Sequence, residues 1–143
     1  MTEGRREFSI GEEATLTRTI TDADIRTFAQ ICGDGNPLHL DDEYARGTFF
    51  GGRIAHGMLV SSLISAVLGM QLPGPGAVYL GQQLRFLAPV RPGDTVTARV
   101  KVSDWDAARG HVTLLTEVVN ESGVTVITGE ARLVMAAFLK KTQ

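Results

Sequence analysis

The sequence predicts an α+β fold in which an antiparallel sheet of about five strands wraps around one long central helix. Three observations support this prediction. The segment from Ile54 to Leu84 contains no Lys, Arg, Asp or Glu, so a helix at its start would be apolar on nearly all sides and need covering by the rest of the fold. After Pro73-Gly74-Pro75-Gly76 the chain changes to period-two patterning, which is typical of strands. The length of 143 residues suits one core, and we expect a single domain over residues 1–143.

The first half of the chain carries the start and stop signals of helices. A strand is predicted over about Ala14–Thr19, and Thr21–Asp24 then resembles a capping box that starts a helix. This helix has one apolar stripe at i, i+3, i+4 and i+7, formed by Ile25, Phe28, Ala29 and Cys32. The stripe predicts that Cys32 lies in the core, and Gly33 supplies the left-handed residue that ends the helix. Asp41–Gly47 predicts one or two further helical turns.

The apolar helix is predicted over about His56–Met70, and sheet follows it. The period-two segments are Val78–Phe86, Val96–Val102, Val112–Val118 and Val124–Phe138. An antiparallel sheet of this kind around one long buried helix describes the hot-dog fold. Because such a sheet leaves an edge strand unpaired, and pairing with a second copy commonly removes that liability, we expect a homodimer.

Composition and charge argue against several classes of partner. Lys and Arg number 14 against 16 Asp and Glu, and the net charge of -2 offers no basic surface for nucleic acid. The stretch Ile54–Leu72 approaches membrane-spanning length, but it contains His56 and three serines and lacks basic flanks, so we expect no membrane span. The single cysteine and an N-terminus without an apolar run favour a reducing, cytoplasmic setting. Because no cluster of Cys and His has metal-site spacing, we expect no metal.

The loop after the first helix holds three hydrogen-bonding side chains within six positions: Asp34, Asn36 and His39. Pro37 fixes its own φ and restricts Asn36 to extended conformations, which stiffens the loop and allows Asp34 and His39 to converge on one point. A carboxylate beside an imidazole suits water activation, because imidazole can accept a proton near neutral pH while the carboxylate stays ionised. The alternative, from the residues alone, is that Asp34 and Asn36 only close the turn while His39 points outward.

Two motifs in order give the chain a family resemblance. The string GDGNPLHLDDEYA, which starts at Gly33, is followed after a short gap by Ile54-Ala55-His56-Gly57-Met58. Further matching segments are Leu72-Pro73-Gly74, Tyr79-Leu80-Gly81-Gln82, Pro89-Val90, Gly93-Asp94 and Thr128-Gly129-Glu130-Ala131. On these residues the chain closely resembles the MaoC-like dehydratase family, and within it the (R)-specific enoyl-CoA hydratases that supply polyhydroxyalkanoate synthesis.

The resemblance implies a homodimeric hydro-lyase that adds water reversibly to a trans-2-enoyl-CoA to give the (R)-3-hydroxyacyl-CoA. Asp34 and His39 match the family's catalytic dyad, which holds one water; its hydroxyl attacks C3 while a proton reaches C2 on the same face. No cofactor is implied, because coenzyme A is part of the substrate, and acyl carrier protein is an alternative carrier. The acyl chain length, the carrier, the pathway and the proton roles within the pair stay open.

Three further residues are candidates for substrate binding. If Gly57 begins the buried helix, its N–H is an unpaired amide that can stabilise charge on the thioester oxygen, as the resemblance also implies; alternatively, Gly57 only permits a tight helix entry. Asn36 matches a family position that orients water or substrate, or it is a turn-former before Pro37. Ser65 matches a family serine near the dyad, or it bonds a carbonyl of its own helix. We predict a structural role for His56, holding the helix start.

Two other functions stay open. A hot-dog acyl thioesterase would bind the same thioesters, but thioesterases of this fold resemble one another through an acidic residue on or beside the central helix, and Met58–Met70 contains none. The second of these functions is that of a non-catalytic acyl-binding module or the inert partner subunit of a heterodimer. Such chains usually lack the Asp and His that are present here. Gly35 stands where close relatives carry a bulkier residue, so the sequence does not determine the width of the adjacent pocket.

Overall fold

A five-stranded antiparallel sheet and four α-helices make up the structure, a computed structural model that describes residues 6–140. The strands are β1 (Glu13–Thr19), β2 (Ala77–Phe86), β3 (Thr95–Asp106), β4 (His111–Asn120) and β5 (Thr125–Met135). The helices are α1 (Asp22–Cys32), α2 (Pro37–Leu40), α3 (Asp42–Arg46) and α4 (Gly57–Met70), and a 3₁₀ turn, Ala136–Phe138, follows β5. The strand order is β1-β3-β4-β5-β2, so β1 and β2 are the edges. This sheet packed on α4 is the hot-dog fold that the sequence predicts.

The core lies between α4 and one face of the sheet. Alternate residues of β3 and β4 point into it and are at most 1% exposed: Val96, Ala98, Val100, Val102, Val112, Leu114 and Val118. The facing side of α4 contributes Val60, Ile64, Val67 and Leu68, also at most 1% exposed. Burying a Val, Leu or Ile side chain contributes roughly 1.5–3 kcal/mol, so this layer supplies a large share of the stability. No helix within residues 6–140 is long and apolar enough to span a bilayer.

One side of α4 is not covered by its own chain. Met58 is 59% exposed, and Ser62 and Ser65 lie on the same exposed side of the helix. The sequence predicts a helix enclosed by the sheet, and this holds for one side only, because the strands of one chain pack against a single face of α4. α4 thus carries no charged residue even on the side that its own chain leaves exposed.

α1 forms as its sequence predicts, except at its last turn. The Thr21 hydroxyl accepts from the Asp24 N–H, and the Asp24 carboxylate accepts from the Thr21 N–H, which completes the capping box. Gly33 ends the helix with a φ of 85°. The prediction that Cys32 lies in the core is wrong: Cys32 is exposed, as is Ile31 at 78%, because the stripe of α1 continues past the elements that cover its earlier turns.

Arg53 joins α1 to the two short helices that lie between α1 and α4. Its guanidinium forms ion pairs with Asp22 at 2.6 Å and Asp42 at 2.8 Å, and it donates to the backbone carbonyl of His39 at 3.1 Å. Hydrogen bonds from Arg26 and then from Arg53 hold the pKa of Asp22 below its ordinary value of 3.8. The two carboxylates in turn raise the pKa of Arg53, so the guanidinium stays charged and holds α1, α2 and α3 together.

Replacing Asp22 with Asn should lower the melting temperature near neutral pH and matter less as the pH falls. The folded-state pKa of Asp22 is below its unfolded value, so the ionised carboxylate stabilises the fold above about pH 4, and this contribution is lost as the pH falls through the folded pKa. Calorimetry at about pH 7, 4 and 2 should therefore show the Tm difference between wild type and Asp22→Asn shrinking toward zero. Asp104→Asn, at an exposed site without an ion pair among the described residues, is the control. A Tm difference that does not change with pH would contradict the assignment.

Candidate active site

The turn after α1 places the Asp34 carboxylate next to the His39 imidazole. Asp34 Oδ2 lies 3.9 Å from His39 Nε2. This distance is too long for a hydrogen bond and short enough for one water molecule to contact both atoms. The His39 side chain is 10% exposed and the Asp34 side chain 51% exposed, so the pair has a buried side and an open side. The structure thus brings the two predicted residues together, and His39 points inward.

The backbone holds the His39 ring in one tautomer. Nδ1 lies 2.7 Å from the carbonyl oxygen of Ile54, and because a carbonyl only accepts, Nδ1 carries the proton and donates it. The neutral ring then has its lone pair on Nε2, which is the atom that faces Asp34. His39 is therefore oriented to accept a proton from a group bound between the two side chains.

Asp34 and Asn36 also close the turn, as the alternative interpretation predicts. Asp34 Oδ1 accepts from the Asn36 N–H at 3.2 Å, and Asn36 Oδ1 accepts from the Leu38 N–H at 3.0 Å. The second bond makes Asn36 the N-cap of α2, with Pro37 in the first turn, so part of the predicted loop is helical. These bonds use one carboxylate oxygen of Asp34 and the amide oxygen of Asn36. Asp34 Oδ2 and the Asn36 amide NH₂ form no hydrogen bond within residues 6–140 and stay available for other partners.

His56 lies directly before α4 and contacts both members of the pair. Its Nε2–H donates to the backbone carbonyl of Asp34 at 2.9 Å, and its ring stacks on that of His39 with 3.8 Å between centroids. It forms no capping hydrogen bond to α4, and its bond to Asp34, which joins the helix start to the turn after α1, agrees with the predicted structural role. The only local signal was a histidine at a position where Ser, Thr, Asp or Asn is usual. Sequence reasoning therefore missed the contact with Asp34.

Gly57 is the first residue of α4, which meets the condition set for its proposed role, and its N–H has no acceptor within residues 6–140. The free amide lies at the positive end of a helix of 14 residues. A steric requirement also applies here, since a Cβ at Gly57 would lie 2.5 Å from Cε1 of Phe86. Tight packing at the helix entry thus explains the missing side chain, and it leaves the amide free for a second role.

An apolar cavity of about 470 Å³ opens beside Gly57. Aromatic and aliphatic side chains line it, including those of Phe50, Met58 and Phe86. The lining includes Gly57 but neither Asp34 nor His39, so the cavity and the carboxylate–imidazole pair lie at two different places around the start of α4. An apolar chain attached to a group at the Gly57 amide would fit this cavity.

Ser65 lies on the exposed side of α4, about two turns after Gly57. Ser61 and Ser62 bond to carbonyls three residues earlier, whereas the Ser65 hydroxyl forms no hydrogen bond within residues 6–140. The alternative in which Ser65 bonds its own helix is therefore not seen. Its role in substrate binding stays a prediction, because no hydrogen bond joins it to Asp34 or His39 in the described part of the chain.

Comparison with known proteins identifies the family. A family model described as MaoC like domain matches residues 7–124. The chain belongs to the MaoC-like domain family. It is 49% identical over 127 residues to an (R)-specific enoyl-CoA hydratase of Rhodospirillum rubrum, covering 89% of this chain and 88% of that protein. An (R)-specific enoyl-CoA hydratase of Aeromonas caviae is 43% identical, with 88% and 94% covered. The solved structure of the (R)-hydratase from A. caviae involved in PHA biosynthesis has a TM-score of 0.88 at 42% identity, over 91% of this chain and 98% of that chain.

Three side chains of this MaoC-like domain lie close enough to hold a metal ion: donor atoms of Asp34, His39 and His56 lie within 4.8 Å of one another. Spacing along the sequence had not suggested this group, because its members come together only through the turn and the start of α4. One nitrogen of each histidine is already engaged by a backbone carbonyl, of Ile54 and of Asp34. The expectation that this site holds no metal stays a prediction.

Substituting Gly57 by Ala should destabilise the MaoC-like domain, although alanine is the better helix former. Its Cβ would lie 2.5 Å from Cε1 of the half-exposed Phe86 ring and displace that ring, at a cost of up to roughly 1–3 kcal/mol. Gly69→Ala in the same helix, where a Cβ meets nothing within 4 Å, should instead stabilise by about 0.5–1 kcal/mol. Urea unfolding of Gly57→Ala, Phe86→Ala and the double variant measures the coupling, and additive effects would contradict the steric account.

Proposed function

We propose that this protein is an (R)-specific enoyl-CoA hydratase, which adds water reversibly to a trans-2-enoyl-CoA thioester and forms the (R)-3-hydroxyacyl-CoA. The observation that carries the proposal is the Asp34 carboxylate 3.9 Å from an inward-facing His39 Nε2, beside the free Gly57 amide at the start of α4. The identity to curated (R)-specific enoyl-CoA hydratases supports the same reaction.

In the proposed reaction, Asp34 and His39 hold one water molecule between them. As an O–H bond of this water breaks, its proton passes to the dyad and its oxygen forms the new bond to C3. The electron pair of the C2–C3 double bond moves toward the thioester carbonyl, and the dyad returns a proton to C2 on the same face. The proton on His39 Nδ1 stays hydrogen-bonded to Ile54 throughout, so Nε2 is the ring atom that exchanges protons.

Attack at C3 places negative charge on the thioester oxygen, and the Gly57 N–H is the proposed donor to it. An unpaired amide at a helix N-terminus carries partial positive charge and is already oriented before the reaction begins. The apolar cavity beside Gly57 takes the apolar part of the substrate. The free amide NH₂ of Asn36 orients the water or the substrate. The proposal includes no cofactor, because the dyad supplies the acid–base chemistry, the Gly57 amide stabilises the charge, and coenzyme A, or acyl carrier protein in its place, enters as part of the substrate.

Asp34→Asn and His39→Ala should each lower the rate of crotonyl-CoA hydration by roughly a hundredfold or more, the range expected for losing acid–base catalysis. The rate is measured as the loss of enoyl absorbance, followed by chiral analysis for (R)-3-hydroxybutyryl-CoA. Asp104→Asn and His111→Ala make the same chemical changes away from the site and should keep the wild-type rate.

One outcome would contradict the proposed mechanism, and two would contradict the proposed function. Full activity in Asp34→Asn would exclude the dyad, and release of free thiol with the double bond intact would indicate a thioesterase. Wild-type protein that leaves crotonyl, octenoyl and dodecenoyl thioesters unchanged on both carriers would indicate an acyl-binding module.

The active form in this proposal is a homodimer joined along β2. This strand is a sheet edge, and its residues Val78, Tyr79 and Leu80 are 40–50% exposed. An exposed apolar edge strand favours pairing with a second strand. The uncovered side of α4 is a second exposed surface, and a partner chain that covers it would enclose Ser65, where its hydroxyl can bind substrate. A cytoplasmic setting suits the free thiol of Cys32.

Leu80→Lys should shift the protein from dimer to monomer, because a charge on the β2 edge opposes pairing with a second copy. Sedimentation equilibrium measures the molecular mass. Leu115→Lys is the matched control, since both leucines are 50% exposed and Leu115 lies on the central strand β4. A wild-type protein that sediments as a monomer, or a dimer lost equally in both variants, would contradict the β2 interface.

A further inference from the structure

His56 occupies the N-cap position of α4 and yet is turned away from the helix. It is 2% exposed and forms no side-chain bond to the helix amides. Its Nε2 lies 2.9 Å from the backbone carbonyl of Asp34, across a separation of 22 residues. Because a carbonyl only accepts, the His56 proton is on Nε2 and is donated to Asp34. The first amides of α4, beginning with Gly57, consequently stay uncapped by this side chain.

The same ring packs against the other member of the dyad. The His56 and His39 rings stack with centroids 3.8 Å apart and planes 30° apart, and Phe28 contacts His56 edge-on at 4.9 Å. A single buried ring thus hydrogen-bonds to the backbone of Asp34 and supports the ring of His39. Its own chain continues directly into Gly57. His56 therefore contacts or adjoins each of the three residues that the proposed reaction needs: Asp34, His39 and Gly57.

The neighbours of Asp34 in the chain restrict its backbone little. It lies between Gly33 and Gly35, residues that restrict the backbone least, and its side chain is half exposed. Within residues 6–140, the hydrogen bond from His56 joins the Asp34 backbone to the start of α4. Without it, the carboxylate could move relative to both His39 and the Gly57 amide.

Neither ring nitrogen of His56 is placed to exchange a proton with a substrate. Nε2 is used by Asp34, and Nδ1 is buried without a hydrogen-bond partner in the described part of the chain. A neutral ring with its proton on Nε2 accounts for both observations, because Nδ1 then has no proton to donate. His56 therefore acts through its neighbours and does not exchange protons with a substrate.

We propose that His56 is a positioning residue, whose Nε2–H holds the Asp34 backbone at the distance from His39 and Gly57 that hydration requires. The inference rests on the proposed hydratase function. It predicts that removing the N–H while keeping a ring lowers kcat more than it changes KM, because the dyad is misplaced while the substrate cavity is untouched. A misplacement of about 1 Å can cost a hundredfold in rate.

The kinetic test compares His56→Phe, His56→Gln and His111→Phe with crotonyl-CoA. His56→Phe should lower kcat roughly tenfold to a hundredfold with KM changed less than about threefold. His56→Gln keeps a donor at the ε position and should recover at least half of that loss on a logarithmic scale. His111→Phe makes the same change on β4, away from the site, and should keep the wild-type kcat. A kcat in folded His56→Phe within about twofold of wild type, or His56→Gln as impaired as His56→Phe, would overturn the proposal.

A second measurement does not depend on activity. Long-range ¹⁵N–¹H correlation of the histidine rings in the wild-type protein should show His56 with its proton on Nε2 and His39 with its proton on Nδ1. In His56→Phe the His39 ring signals should shift, because the stacked partner and the position of Asp34 change together. A His56 ring protonated on Nδ1 would overturn the proposal even if hydratase activity is found. The expected tautomers in a protein without hydratase activity would support the hydrogen bond from His56 to Asp34 and reject only the proposed reaction.

Discussion

Two crossed hydrogen bonds between histidine rings and backbone carbonyls determine the geometry of the site. His39 donates to the carbonyl of Ile54, just before α4, and His56 donates back to the carbonyl of Asp34, just after α1. Each bond contributes only about 0.5–1.5 kcal/mol net. Together they fix the tautomer of both rings and join the turn after α1 to the start of the buried helix. The carboxylate, the basic nitrogen and the free Gly57 amide consequently belong to one rigid unit.

The apolar helix links this unit to the rest of the molecule. Its buried side packs on β3 and β4, while its exposed side and the β2 edge are the surfaces at which we propose that a second chain binds. The fold therefore places the site at the start of α4, between the side of this helix that the sheet covers and the side that stays exposed. Under the proposed function, assembly and substrate binding are connected through Ser65, which lies on the uncovered side of α4.

Local patterns in the sequence predict most of the fold and the Asp34–His39 pair. Alternation identifies the strands, and Asp34 and His39 are close along a chain segment that Pro37 restrains, so their approach follows from local geometry. The prediction from periodicity is wrong at Cys32. Periodicity shows which side of a helix faces inward, but it does not show how many turns of that side other elements cover. The contact of His56 with Asp34 joins residues 22 positions apart, and no local pattern encodes it.

The central claim is that the dyad and the Gly57 amide act on one thioester, and a crystal structure of Asp34→Asn with crotonyl-CoA tests it most directly. The account predicts the thioester oxygen about 2.7–3.1 Å from the Gly57 nitrogen, with C3 facing the gap between His39 Nε2 and the side chain at position 34. The acyl group should extend into the apolar cavity beside Phe86. A thioester bound with its oxygen away from Gly57, or with C3 out of reach of His39, would contradict the account.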